Sequence, residues 1–284
     1  MSNQQRRWPK IGLALGGGGA KGLAHIGVLK VLEELEIPIS YIAGTSVGAF
    51  VGGAYACGIP IEEMIRKVRK MRWSDLGKLA VSRLGLRDGS RMEAYIRTHF
   101  RATTFEALRI PLAVVAADIM SGAKVVIRHG DLARAIRAST AIPGYFTPVP
   151  YEGNQLLVDG GIVDCLPVSV VKSMGAERVI AVDVHPFSRL EQPPTNLYQI
   201  YSQAYAIVGY NSGNQARQMA DLLVAPNLSH VAWDDLSRAD EIIRIGEETM
   251  RRLAHRCQQW LKQEEAGLFA RWRLAWTHRD PETS

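Results

Sequence analysis

The sequence predicts an α/β fold, with a mostly parallel central sheet covered by helices. Three observations predict it. Apolar runs of strand length recur at residues 11–15, 41–43, 112–117, 156–158 and 178–184. Segments with helical spacing follow the first two runs, so the chain opens β-α-β-α. The first two strands also end in glycine-rich turns, the usual passage from a parallel strand into its covering helix.

Each element has a local reason. Ile11-Gly12-Leu13-Ala14-Leu15 is an apolar run that ends at Gly16, Gly17, Gly18 and Gly19, and so reads as a buried strand. Over residues 23–35, Leu23, Ile26, Leu29, Leu32 and Leu35 recur every third position, Val28 and Val31 widen the stripe, and Pro38 ends the helix. Tyr41-Ile42-Ala43 is the second strand, and a helix with small residues on one side follows over 49–56. Residues 60–72 read as a helix crowded with Arg66, Lys67, Arg69, Lys70 and Arg72, for which a solvated face is the plainer reading and a binding patch the other. Residues 74–90 have no period and read as a loop or lid. Strands at 112–117 and 124–127 flank a tight turn at Met120-Ser121-Gly122, and a short helix follows over 132–139. Pro143, Gly144 and Pro148 mark an irregular loop before the strand at 156–158, which ends in Asp159-Gly160-Gly161. The run 178–184 is a further buried strand, 186–196 a linker-like loop and 222–224 a last strand; 197–220 and 240–263 look helical.

The chain has 284 residues, 47% hydrophobic and 22% charged, which suits one large globular unit able to bury a core without staples. Cys57, Cys165 and Cys257 are scattered and odd in number, so neither a disulfide framework nor a metal site follows, and a reducing cytosol is the natural setting. The polar, basic start lacks the apolar stretch of a signal peptide, and no apolar run reaches 18 residues, so the expectation is a cytoplasmic protein that is soluble or peripheral to the membrane. A net charge of +6 favours anionic partners, a membrane surface or a nucleic acid among them.

Three pieces carry chemistry. Gly44-Thr45-Ser46-Val47-Gly48 fits G-x-S-x-G, in which a serine sits on a sharp turn between strand and helix. Gly44 and Gly48 let neighbouring backbone pass close to that turn, and the helix start favours negative charge on the serine oxygen. Gly16-Gly17-Gly18-Gly19-Ala20-Lys21-Gly22 is a glycine-rich turn whose N–H groups make an anion site. Dinucleotide binding is the rival use of these glycines, but it asks for an acid at the end of the second strand, where Gly44-Thr45-Ser46 stands instead. A P-loop fails because Ala20 precedes Lys21 and Gly22 follows it. Consecutive parallel strands lie side by side, so the glycine loop and Ser46 are expected to be neighbours at one sheet edge, with the loop as an oxyanion hole.

A serine also needs a base. His185, after a strand, is the best candidate for a triad histidine, with a plain loop residue as the alternative; His25 lies inside the first helix and reads as packed. Ser46 comes too early in the chain for the α/β-hydrolase order. Asp159 follows an apolar strand and precedes two glycines, so its carboxylate is expected to project from the sheet edge with room around it. Alone, an Asp-Gly-Gly is a turn; beside the other two pieces it is a candidate base.

Together and in this order, the three motifs resemble the patatin-like phospholipase family over roughly residues 10–170, with residues 138–149 similar to the stretch these proteins carry before the aspartate. The resemblance implies a three-layer α/β/α fold and an acyl hydrolase that uses a Ser–Asp dyad, without histidine, metal or cofactor. It implies Ser46 as nucleophile and Asp159 as base. Gly17, Gly18, Gly19 and Lys21 become the oxyanion site, with Lys21 either stabilising charge or capping a solvated loop. Asp164 departs from the family, where Asn is more usual, and this puts one hydrogen-bond donor near the site in question. Residues 1–9 are expected to be a flexible tail, 10–170 the catalytic core and 171–284 its continuation with C-terminal helices.

The implied substrate is a fatty-acyl ester of a phospholipid or lysophospholipid. Trp260, Trp272 and Trp276 lie among Lys262, Arg271, Arg273 and Arg279, which suits either a peripheral contact with an anionic membrane or a helix packed on the core. A patatin-fold regulator acting through a protein partner is the alternative; its mark would be a lost Ser or Asp, and both are present. Nucleic acid is disfavoured, because aromatic and basic residues do not alternate in a strand pattern.

Overall fold

The computed structural model describes residues 8–79, 83–185 and 193–277. Its first half contains β1 (Ile11–Leu15), α1 (Ala24–Glu34), β2 (Ile39–Thr45), α2 (Val47–Ala56), α3 (Ile61–Val68), α4 (Trp73–Leu76), β3 (Lys78–Leu79), β4 (Gly85–Asp88), α5 (Ser90–His99), β5 (Leu112–Asp118), β6 (Lys124–Ile127) and α6 (Leu132–Ser139). The second half adds β7 (Gly144–Phe146), β8 (Val149–Pro150), β9 (Leu156–Asp159), α7 (Val168–Ser173), β10 (Arg178–Val182), α8 (Leu197–Ser212), α9 (Asn214–Met219), β11 (Leu222–Val224) and α10 (Ala239–Thr277).

The main sheet has the order β11-β10-β1-β2-β5-β9-β8, with β6 also paired to β5. The pairs from β11 to β5 are parallel, and β6, β8 and β9 join antiparallel. Side chains alternate across it. Leu13, Leu15, Ile42, Val114, Ile180 and Val182 turn toward the core shared with α1, α2 and α10. Ala14, Ala43, Ala113, Val115, Val179 and Ala181 turn the other way, under α7 and α9. Both faces are covered, which is why these strands read as continuous apolar runs. The result is the mixed α/β architecture that the sequence predicts.

The helix α10 lies directly on α1. A Cβ on Gly27 would stand 2.0 Å from the Ile243 carbonyl, and one on Gly246 would stand 2.2 Å from that of Ala24, so two glycines set this approach. Lys30–Glu247 at 3.0 Å and Arg251–Glu34 at 2.6 Å close its rim. Trp8 packs partly on the core and Pro9 is buried. Trp260 is buried too; the side chains of 261–277, including Trp272 and Trp276, lie outside the described residues.

Three expectations need correction. Residues 74–90 are not simply a loop: they carry the end of α4, then β3 and β4, and β4 pairs in parallel with β7, from the segment read as irregular, through Gly85–Gly144 and Arg87–Phe146. That partner lies more than fifty residues away, so no local period announces it. The helix expected over 197–220 breaks at Gly213 into α8 and α9. The basic run after Pro60 contains the shorter α3, and its charges are partly engaged, with Lys67 on Glu63 and Arg69 on Asp240. Most of the 186–196 loop lies outside the described residues.

Candidate active site

Ser46 is the single residue between β2 and α2. Its backbone has φ 55° and ψ −126°, a conformation that costs a non-glycine residue on the order of 1–3 kcal/mol and persists only where the surroundings enforce it. They do so from both sides. The Ser46 carbonyl accepts from the Ala49 and Phe50 N–H groups at 2.9 and 3.1 Å, which starts α2. The Ser46 N–H donates to Ser139 Oγ at 2.8 Å, and the Ser139 hydroxyl donates to the Val115 carbonyl at 2.5 Å. The Thr45 hydroxyl is tied to the Asp164 carbonyl at 2.8 Å. The two elbow glycines answer to space: a Cβ on Gly44 would lie 2.5 Å from the Gly48 carbonyl, and one on Gly48 would lie 2.1 Å from that of Leu15.

Ser139 is fully buried and was given no role by the sequence, although it falls in the 138–149 stretch. Ser139→Ala leaves the Ser46 N–H without its partner, a loss of about 1–3 kcal/mol for a buried donor. The expected result is a lower Tm and a kcat reduced about tenfold or more on a soluble ester, with Ser139→Thr partly restoring it. An unchanged kcat in Ser139→Ala would show that the elbow holds itself.

Asp159 reaches Ser46 through the sheet. Thr45 pairs with Val115 on one side of β5, and Asp159 pairs with Ala116 on the other. Because β9 is antiparallel, its last residue arrives level with the elbow. The expectation that Asp159 projects with room around it is corrected: it is only 1% exposed. Gly160 lets β9 close on β5, since a Cβ there would lie 2.4 Å from the Val115 carbonyl, and Tyr205 of α8 covers the carboxyl. Ser46 Oγ donates to Asp159 Oδ2 at 2.5 Å, and the Gly161 N–H donates to Oδ1 at 2.8 Å. Burial pushes the Asp159 carboxyl up to about 6, against the hydrogen bonds from Ser46 and Gly161. No sequence signal marks Tyr205, one of four tyrosines in α8.

The glycine loop runs beside the serine: a Cβ on Gly17 would lie 3.4 Å from that of Ser46. Its N–H groups divide into two sets. Those of Gly16, Gly17 and Ala20 donate to the Val182, Cys165 and Trp233 carbonyls at 3.0, 3.0 and 2.6 Å. Those of Gly18 and Gly19 have no backbone partner among the described residues. The loop is held in place through the first set. His25 is packed, as expected: its Nε2–H donates to the Gly16 carbonyl at 2.8 Å, and burial lowers its pKa to about 4, so it holds the loop as a neutral ring.

Lys21 borders the same cavity, and desolvation lowers its pKa. His185 also borders it, but its Nε2 meets the Ala206 carbonyl at 2.9 Å, so the ring supports α8 and does not serve Ser46. Asp164, where Asn is more usual, is tied up in a 2.9 Å ion pair with Lys124 of β6. Among the described residues no three His, Cys, Asp or Glu side chains converge as a metal site.

The cavity over the dyad has a volume of about 350 Å³ and a largely apolar wall. Among the described residues, no helix is long and apolar enough to cross a membrane.

A family model described as patatin-like phospholipase matches residues 13–172. The chain is 39% identical over 187 residues to patatin-like phospholipase domain-containing protein 6 of Mus musculus, a match that covers 61% of this chain and 13% of that protein. It is 31% identical over 268 residues to lysophospholipase NTE1 of Kluyveromyces lactis, covering 83% of this chain and 18% of that one. It therefore spans less than a fifth of the length of either relative. The fold is similar to that of VipD from Legionella pneumophila, with a TM-score of 0.58 at 12% identity over 90% of this chain and 67% of VipD. The glycine loop, Ser46 and Asp159 all fall inside residues 13–172, more than half of the sequence, and the chain belongs to the patatin-like phospholipase family.

Proposed function

We propose that this protein is a serine acyl hydrolase that cleaves fatty-acyl esters of phospholipids or lysophospholipids with a Ser46–Asp159 dyad. The observation that carries this reading is the 2.5 Å hydrogen bond from Ser46 Oγ to a buried carboxylate beside a largely apolar cavity. The printed names of the two relatives, a phospholipase-domain protein and a lysophospholipase, support the substrate class.

Ser46 Oγ attacks the ester carbonyl as Asp159 takes its proton. The Gly18 and Gly19 N–H groups receive the developing oxyanion, and the α2 N-terminus adds a favourable field. Asp159 passes the proton to the leaving alkoxide, then takes one from water, which attacks the acyl-serine and frees the fatty acid. Lys21 contributes positive charge at the cavity wall. A peripheral membrane contact is part of this reading. Between residues 197 and 212, α8 has no charged side chain, and it exposes Leu197, Ile200, Ile207 and Val208 beside the cavity. Such a surface suits a substrate presented by lipid aggregates.

A fluorophosphonate probe is expected to label the wild type and not Ser46→Ala, and the wild type is expected to release fatty acid from lysophosphatidylcholine or phosphatidylcholine. Absence of both labelling and hydrolysis would overturn the reading in favour of a patatin-fold regulator.

A further inference from the structure

Ser46 stands on the wall between two cavities. The larger one, over the dyad, is bordered by Asp159, Gly17, Gly18 and α8. The smaller, about 60 Å³, shares Gly19, Ser46 and Ile142 with the first and has otherwise different walls. Its other walls are supplied largely by Leu23, Phe50, Met71, Leu76, Met92 and Phe146. Apart from Ser46 and the Gly19 backbone, which border both cavities, the polar side chains that reach it are already engaged. The Thr140 hydroxyl is bonded to the Ile136 carbonyl at 2.9 Å, and Trp73 Nε1–H donates to the Asp234 carbonyl at 2.6 Å. A charged headgroup would find no partner there, and a hydrocarbon chain would.

A third cavity, about 20 Å³, lies deeper, between α1, α2, α3 and α5. It has only Phe50 and Met71 in common with the second. Phe50, in α2, lies four residues beyond Ser46, and both residues line this second cavity. Its ring rests 5.5 Å from that of Phe100 and 6.1 Å from that of Tyr95, centroid to centroid. Met71 is a flexible thioether opposite it.

The chemistry decides which half of an ester enters which cavity. Attack forms the Ser46 Oγ–carbonyl bond and breaks the bond to the alcohol oxygen. The proton taken from Ser46 leaves on that oxygen, so the alcohol must depart on the side of Asp159. Asp159 borders the larger cavity and not the smaller. The alcohol half therefore faces α8 and solvent, and the acyl half is directed toward the smaller cavity, past Gly19 and Ile142, which border both.

We infer that the smaller cavity is the acyl-chain site, taking a linear hydrocarbon chain tail-first, and that Phe50 and Met71 form the floor that sets its usable length. The inference rests on the acyl-hydrolase reading above. Truncating either floor residue is expected to join the second and third cavities, because Phe50 and Met71 are what they share.

The test is kcat/KM across p-nitrophenyl esters from acetyl to palmitoyl for the wild type, Phe50→Leu, Phe50→Ala, Met71→Ala and, in the larger cavity, Tyr198→Ala. Each variant is compared with itself, as the ratio of long-chain to short-chain rates, and Tm identifies any that fail to fold. The expected result is an optimum moved to longer chains in the Phe50 and Met71 variants, by about three- to fourfold for each extra methylene accommodated, and not in Tyr198→Ala. An optimum unchanged in folded Phe50→Leu and Met71→Ala, or one moved only by Tyr198→Ala, overturns the assignment while leaving the hydrolase reading intact. A wild type that cleaves no ester in the series overturns the hydrolase reading itself.

Discussion

Asp159→Asn is expected to abolish ester hydrolysis and to leave the protein at least as stable as the wild type at pH 7.5. The first effect follows from the proposed role of Asp159 as base: a neutral amide cannot take the Ser46 proton, and a positioned general base contributes about 10²–10⁴ in rate. The second follows from burial. In an unfolded chain an Asp carboxyl titrates near 3.8, and in the folded protein this one titrates at about 6. Between those values the folded state holds a proton that the unfolded state has released, so stability falls as pH rises through that window. The difference between those values corresponds to roughly 3 kcal/mol, carried by the wild type above pH 6 as the cost of a buried charge. The asparagine removes that charge and keeps one oxygen to accept from Ser46 or Gly161. Differential scanning fluorimetry checks the stability, and a Tm several degrees below wild type would show that the carboxylate stabilises the fold. The same shift fixes the pH dependence. With a neutral ester, kcat/KM rises about tenfold per unit below pH 6 and levels above it, because only ionised Asp159 can act. A profile flat from pH 5 to 8 would remove Asp159 from the role of base.

The second large effect is expected from Gly19→Ala. Gly19 has φ 60°, and a Cβ there would lie 2.2 Å from the Trp233 carbonyl, the same oxygen that accepts from the Ala20 N–H at 2.6 Å. Backbone has to give on one side or the other, and either movement re-aims the Gly18 and Gly19 N–H groups. One oxyanion donor is typically worth about 10²–10³ in kcat. The expected result is a loss of that size in kcat with KM little changed and slower fluorophosphonate labelling. Wild-type kcat in a folded Gly19→Ala would take the glycine loop out of the reaction.

The elements that local pattern governs were legible. The apolar runs, the helical stripe over α1 and the glycine-terminated strands follow from side-chain size and period, and the structure has them within a few residues of the expected positions. The adjacency of the glycine loop and Ser46 was also legible, because consecutive parallel strands pair. Long-range partners were not. The β4–β7 pair joins segments that each look irregular alone. The break at Gly213 hides inside a continuous helical pattern. Ser139, Tyr205 and Trp233 support the site through hydrogen bonds or contacts made across the fold, and none sits in a motif.

By itself, the sequence determined the α/β rhythm, the family resemblance, and the identity of the candidate nucleophile, base and oxyanion loop, since these depend on residue type at short spacing. Tertiary structure alone decided how they work together. The antiparallel turn of β9 places Asp159 level with Ser46, and α8 buries it. That burial raises its pKa toward the working range of a base, because water no longer solvates the charge. The two cavities that Ser46 borders arise where α2, α4, α5 and α8 leave space, and the spaces left between packed helices are not encoded at any one position in the chain.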